Sequence, residues 1–320
     1  MDEAFGSSMN CYQAPVRFHD LDEVNHAISG SNLEFFQLKS GNLDIALDQV
    51  SLGDLSIDVG AVNLPIRVMG ELDPGRFSIG AFARGAQATW NGNPVDDSQL
   101  LLFPPGKEIS GHLSAMYGWT SLVIPPDWID AIEQSTSRTN ITQVASCITA
   151  RPAPGALADL RQAILNVVRP TESPLASPAE EWLVTDLRNT LGAVLSAIDV
   201  PSAKVVPQAW GHFIIAKRAE RYMLERIAEP VSIDDLCVAM HASRRYLEYA
   251  FADAFGTSPS RYLRLVRLHQ VRSKLKASGG QTTVTNEALR LGFSHLSLFA
   301  TQYKNAFGES PSLTLARATT

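Results

Sequence analysis

From about residue 30 to residue 125 the apolar positions alternate or cluster in fours to sixes, as in FFQL, LDIAL, LSIDV, FSIGAF, LLLF and SLVI. Turn-forming residues separate these runs, at Ser40-Gly41-Asn42, Asp73-Pro74-Gly75, Asn91-Gly92-Asn93-Pro94 and Pro104-Pro105-Gly106. Many short strands at near-regular spacing predict an antiparallel sandwich or barrel. The period then changes. Leu157, Leu160, Ile164 and Val167, followed by Trp182, Leu183, Leu187, Leu191, Val194 and Leu195, fall at helical spacing, and the Pro- and Ser-containing stretch from Pro170 to Pro178 divides them into two helices. Residues 199–210 carry two prolines and no period. Everything beyond reads as helical. The pattern therefore predicts an N-terminal domain over 1–198, with a barrel at about 15–150 and helices at about 155–198. A linker follows at 199–212, and an all-α domain at 213–320.

The helical part repeats itself. Ala254-Phe255-Gly256-Thr257-Ser258-Pro259-Ser260 returns 52 residues later as Ala306-Phe307-Gly308-Glu309-Ser310-Pro311-Ser312. The match extends backwards, Leu247 to Phe299 and Phe251 to Tyr303, and Leu236-Cys237 aligns with Glu287-Ala288 at an offset one residue shorter. Each unit is thus a short helix, a tight turn, a second helix and an FG-x-SP stop.

In the second helix of unit one, Leu247, Ala250, Phe251 and Ala254 sit at i, i+3, i+4 and i+7, one apolar stripe for a core. Arg244, Arg245, Glu248 and Tyr249 are left near the N-terminal end of the opposite face, and Ser243 is placed to cap it. In a helix-turn-helix that end enters the major groove, where Arg suits bidentate contact with guanine. An ordinary solvated helix face is the competing reading of the same residues. Between the units, Pro259 to Leu275 makes an amphipathic connector with Tyr262, Leu263, Val266, Leu268, Val271 and Leu275 inward and Arg261, Arg264, Arg267, Arg272 and Lys274 largely outward. A rigid connector would hold two reading helices about 34 Å apart, one turn of DNA.

Charge sharpens the picture. Residues 1–214 hold 12 Lys and Arg against 24 Asp and Glu, whereas residues 215–320 hold 15 against 9. The net charge of −6 therefore conceals an acidic domain joined to a basic one suited to a polyanion. No window approaches the roughly 18 consecutive apolar residues of a membrane span, and the N-terminus lacks the pattern of a signal peptide. Cys11, Cys147 and Cys237 stand far apart, as reduced thiols of a cytoplasmic protein would. No phosphate-binding loop, dinucleotide fingerprint, nucleophile elbow or receiver pattern stands in a suitable setting.

The residues S-x-R-x-L-x-x-x-F (Ser243, Arg245, Leu247, Phe251), G-x-SP-x-x-YL (Gly256 to Leu263) and RL-x-x-VR-x-x-L (Arg267 to Leu275) carry a family resemblance. So do A-L-R-L-GF (Ala288 to Phe293) and F-x-x-x-YK-x-x-FG-x-SP (Phe299 to Pro311). Over about 215 to 316 the chain resembles the DNA-binding domain of the AraC/XylS family of bacterial transcription regulators. The resemblance implies a regulator of transcription, usually an activator, acting on double-stranded DNA with RNA polymerase as partner. Carried over by position, it implies base contacts from Arg244, Arg245, Glu248 and Tyr249 in unit one. In unit two it implies His295, Leu296, Ser297 and Thr301, with Lys304 on phosphate. Two departures stand out. His241 occupies the turn position where Gly is usual and φ is positive, and Glu287 occupies an apolar core position, which should leave unit two less stable or re-packed.

The same resemblance implies an N-terminal sensor or dimerisation domain, a cupin-like β-barrel with trailing helices. The stretch from Phe18 to Gly60 is similar to members related to ethanolamine-operon regulators, which names no ligand. Phe77, Phe82, Trp90, Phe103, Tyr117 and Trp119 are candidates to line a pocket for a small-molecule effector, or to form plain barrel core. The helices at 155–198 are candidates for a homodimer contact, or for packing on their own barrel. His19, His26 and His112 lack the His-x-His spacing of a metal-dependent cupin, so neither a cofactor nor catalysis is expected. An effector-independent regulator controlled by a protein partner, and a cupin-like enzyme or carrier with an appended DNA-binding domain, are the alternatives.

Overall fold

The computed structural model describes residues 16–27, 31–114, 117–135, 148–168, 178–198 and 207–318. Cys11, Cys147, the Pro-rich break before 178 and residues 199–206 of the expected linker lie outside them, as does the side chain of His26.

The N-terminal half is mainly β, as the alternation predicts. Its strands are β1 (Val16–Phe18), β2 (Ser31–Gln37), β3 (Ile45–Leu52), β4 (Leu55–Val62), β5 (Ile66–Leu72), β6 (Phe77–Phe82), β7 (Gln87–Trp90), β8 (Asn93–Asp96), β9 (Leu100–Phe103), β10 (Glu108–Leu113), β11 (Tyr117–Ile124) and β12 (Ile148–Ala150). Helix α1 (Leu21–Ala27) follows β1, α2 (Pro126–Ser135) follows β11, and α3 (Pro154–Val168) and α4 (Pro178–Ala197) close the half. The strands form a seven-stranded sheet, β1-β3-β4-β11-β6-β9-β12, and a five-stranded sheet, β2-β5-β10-β7-β8, so the cupin-like plan is realised as two sheets instead of one closed ring. Every pairing is antiparallel. The β7–β8 hairpin turns on Asn91 and Gly92 with φ of 46° and 79°, the left-handed pair that a two-residue loop between twisted strands requires.

Side-chain alternation in the larger sheet serves two cores. On β9, Leu100 and Leu102 pack with α2, α3 and α4, whereas Leu101 and Phe103 face the smaller sheet. Continuous apolar strands such as LLLF follow from burial on both faces. Helices α3 and α4 seat Leu157, Leu160, Ile164, Leu187 and Leu191 against this sheet, so they do pack on their own β-domain.

The C-terminal half is all-α: α5 (Pro207–Glu225), α6 (Ile233–Met240), α7 (Arg244–Phe255), α8 (Pro259–Ala277), α9 (Val284–Arg290), α10 (Leu296–Phe307) and α11 (Pro311–Arg317). One core unites α5–α8 and admits Phe36 and Leu38 from the β-domain; another joins the second half of α8 to α9–α11. The inward residues expected on α8 are all buried, but Arg272 is not outward. It pairs with Asp20 at 3.2 Å and Glu309 at 3.1 Å, because the acidic start of α1 packs against this end of α8.

The two halves meet across a polar but enclosed seam. Arg67 on β5, fully buried, donates from Nε and Nη2 to the two carboxylate oxygens of Glu220 on α5, at 3.1 and 3.0 Å. Its remaining donors reach the carbonyls of Val68 and Gly111 and the hydroxyl of Ser110. Tyr262 of α8 donates to Glu220 as well, and Phe255 lies 4.5 Å beneath the guanidinium. Burial alone would raise the Glu220 pKa, but Arg67 and Lys217 beside it pull it below the usual carboxylate value. Further along, the backbone N–H of Gln37 donates to Nε2 of His269, whose ring sits between Phe36 and Phe307. Loss of solvation, with Arg272 nearby, pushes the His269 pKa down to about 3; desolvation and Arg67 take His112 to about 4.

Removing one partner of a buried pair leaves the other charge uncompensated, so Arg67→Ala is expected to cost about 3–5 kcal/mol in denaturant unfolding, with Arg67→Met/Glu220→Leu recovering most of it. A double variant as unstable as the single one would show that the pair is not what the seam depends on. The imidazoles act in one direction. Both are held neutral in the folded chain and take up protons below about pH 6.5 once unfolded. Stability is therefore complete above that pH and declines as pH falls from about 6.5 towards 4 for His112 and towards 3 for His269, and His112→Gln should flatten the decline in a pH series of thermal midpoints.

Candidate nucleic-acid interface and interior cavity

Each half of unit one is locally encoded. Ser232 and Asp235 close a reciprocal capping box at the start of α6, with Asp235 N–H donating to Ser232 Oγ at 3.1 Å and Ser232 N–H to Asp235 Oδ2 at 2.9 Å. His241 ends that helix in the left-handed region, φ 51°, as its place in the turn predicts. Ser243 caps α7 by accepting from Tyr246 N–H. Leu247, Ala250, Phe251 and Ala254 are buried, which leaves Arg244, Arg245 and Tyr249 exposed and Glu248 half-buried. Arg244 pairs with Asp234 of α6 at 3.1 Å, while Arg245 donates to the Tyr249 hydroxyl at 3.2 Å and lies over its ring. Exposed contacts of this kind are worth little, so both arginines can leave them for a stronger acceptor.

Unit two has the same frame and different chemistry. Gly292 stands at the position corresponding to His241, with φ 82°. His295 begins α10 without a side-chain cap, unlike Ser243. Leu296, Ser297, Thr301 and Lys304 are all exposed, and Thr301 donates to the Ser297 carbonyl at 3.1 Å. Leu298 is 55% exposed beside them, and inspection of the sequence had not singled it out. Glu287 is buried as its position dictates, and re-packing takes the form of hydrogen bonds: Thr282 donates to it at 2.8 Å and Arg290 pairs with it at 3.4 Å. Between the units, Ser260, Arg264 and Gln302 edge a surface groove that sequence reading also passed over. Arg267, in the same groove, is committed to the carbonyls of Ile227 and Glu229.

A cavity of about 110 Å³ lies between the two sheets. Five of the six candidate aromatics line it: Phe82, Trp90, Phe103, Tyr117 and Trp119. Phe77 corrects the expectation. It shares the face of Ile79 and Ala81, so strand alternation turns it into the core beneath the helices. Asp58 and Ser121 also line the cavity. Asp58 was legible only as the single acid in the run LSIDV. It is 6% exposed and accepts from Gln49 at 2.8 Å and Ser121 at 3.2 Å, and burial raises its pKa. Among the described residues no His, Cys, Asp and Glu side chains gather in a group that could hold a metal ion.

The family profile described as "Helix-turn-helix domain" matches residues 236–317. A solved structure, titled a probable AraC family transcriptional regulator from Rhodopseudomonas palustris, is 36% identical, over 33% of this chain and 99% of that one, with a TM-score of 0.32. Residues 236–317 are a helix-turn-helix domain, and the C-terminal third of this chain is similar to AraC-type regulators. Curated relatives of the AraC-type domain include the "Probable thc operon regulatory protein" of Rhodococcus erythropolis, 33% identical over 99 residues, or 31% of this chain and 30% of that protein. They also include the "XylDLEGF operon transcriptional activator" of Pseudomonas putida, 35% identical over 100 residues, 31% of each chain. The chain thus spans about a third of the length of the curated relatives it matches.

The left-handed turn of the AraC-type domain yields a stability test. A side chain at positive φ costs about 1–2 kcal/mol, part of which glycine returns as unfolded-chain entropy, so His241→Gly should stabilise by up to about 1 kcal/mol. His241→Val should destabilise the domain. Equal denaturation midpoints for the two variants would mean that the positive φ is not held in solution.

Proposed function

We propose that this chain is a sequence-specific DNA-binding transcriptional regulator, an activator, that reads two successive major grooves with α7 and α10. One observation carries the reading: the AraC-type domain presents the N-terminal ends of both helices to solvent while their opposite faces are locked into cores. In unit one, Arg244, Arg245, Glu248 and Tyr249 supply hydrogen-bonding groups for base edges. In unit two, His295, Ser297 and Thr301 supply fewer strong donors, and Leu296 suits a thymine methyl. Unit one is therefore the sharper reader. Lys304 contacts phosphate.

The β-domain carries the control. Its cavity takes a small-molecule effector, and α3 and α4, which expose Leu165 and Trp182, supply the contact between two copies. The domain division at the linker, with α5 as the first helix of the reading half, and contact with RNA polymerase complete the proposal. Among the described residues no helix is long and apolar enough to cross a membrane.

The test is binding-site selection with the full chain at fixed salt, followed by titration of the best site. Two short boxes about one helical turn apart are expected, with Arg245→Ala costing roughly 1–3 kcal/mol and relaxing preference at one base step. Lys304→Ala should weaken all sequences alike and lower the salt slope by about 1. Sequence-blind binding by the full chain and by residues 210–320 alike would sink the reading.

A further inference from the structure

We propose that the interior cavity takes a single-ring aromatic molecule bearing an ammonium group, with Asp58 as the counter-charge; the proposal rests on the effector reading of that cavity.

Size comes first. A buried apolar cavity of about 150 Å³ is enough to hold benzene. At about 110 Å³ this one is of the same order, which limits the occupant to a single ring with a small polar group. Its wall is aromatic and aliphatic from both sheets, including Phe35, Phe82, Phe103 and Trp119.

Charge decides the rest. Asp58 is buried, like the carboxylate at the domain seam, but its surroundings differ. Glu220 meets Arg67 and Lys217, whereas Asp58 has two neutral donors, Gln49 and Ser121, and no ion pair among the described residues. A buried carboxylate without a cation costs several kcal/mol or takes up a proton. Among the described residues neither Lys nor Arg lines the cavity, so a carboxylate ligand would face Asp58 with no cation to neutralise either charge. An ammonium supplies the missing charge and three donors.

The aromatic wall is placed to help. Gly60, two residues beyond Asp58 on the same face of β4, lies directly beneath the Trp119 indole, where even a Cβ would sit 2.2 Å from the ring. Trp119 and Ser121 are likewise two apart on β11, paired with Gly60 and Asp58 respectively. The register therefore sets Trp119 diagonal to Asp58 on the same sheet face, and a cation held between them gains the ring quadrupole as well as the charge. Tyr117 stacks on Trp119 from the next inward position, with ring centroids 6.1 Å apart.

The experiment compares 2-phenylethylamine, 2-phenylethanol and phenylacetate, titrated into the full-length protein by calorimetry and by tryptophan fluorescence. The amine is expected to bind at least about tenfold more tightly than the alcohol, the gain of one charge-assisted hydrogen bond, and phenylacetate not at all. Asp58→Asn should erase the preference for the amine over the alcohol. The wild-type order of affinities decides even if that variant fails to fold. Equal binding of amine and alcohol, or tighter binding of phenylacetate, overturns the charge assignment and leaves the effector reading standing. Binding of none of the three overturns the proposal for the cavity and leaves the effector reading standing.

Discussion

The buried Arg67–Glu220 pair is the constraint around which the two halves of this protein are arranged. A guanidinium with no exposure needs all its donors answered, and the seam answers them with one carboxylate from the helical half and three oxygens from the β-domain. Such a pair adds little net stability, since desolvation offsets most of the attraction. What it imposes is geometry. Bidentate contact fixes α5 against β5 and β10, and the Tyr262 hydroxyl on the same carboxylate brings in α8. Once α8 is placed, Arg272 and Lys276 reach Asp20 and His269 reaches Gln37, so the connector between the reading units is held along much of its length.

This arrangement makes the smaller sheet two-sided in its chemistry. On β5, Ile66 and Val68 line the cavity and Arg67, between them, holds the helical half. On β2, Phe35 lines the cavity and Phe36 packs with α5–α8. On β10, Ile109 faces inward and Ser110 bonds Arg67. The cavity and the buried ion pair therefore share strands β5 and β10. On the proposed reading, one layer of backbone separates a molecule in the cavity from the face that holds the helical half.

The polar groups of the cavity and of the seam also divide by environment. Glu220 is buried with cations and held ionised; Asp58 is buried with neutral donors and pushed towards protonation. Two carboxylates in one domain assembly therefore have opposite needs. One is satisfied within the chain and the other is left with capacity for a partner.

Local chemistry was legible from the amino-acid order. The FG-x-SP repeat, the period of Leu247 to Ala254, the caps at Ser232 and Ser243 and the left-handed turn at His241 are all decided by residues within one or two helical turns of each other. The short strands and the helices at 155–198 were legible for the same reason, because periods of 2 and 3.6 are written in consecutive residues. Phe77 shows the limit: an aromatic on a strand buried on both faces carries no mark of which core it enters. The acidic first turn of α1 and the outward-seeming Arg272 show another, since nothing local tells Asp20 that α8 will lie across it. By itself the sequence determined a mainly-β half and an all-α half, the repeated helix-turn-helix unit and its capped helices, through interactions short in chain distance. Tertiary structure alone decided the cavity, the isolation of Asp58 and the seam built on Arg67 and Glu220, whose separation of 153 positions no local pattern can span.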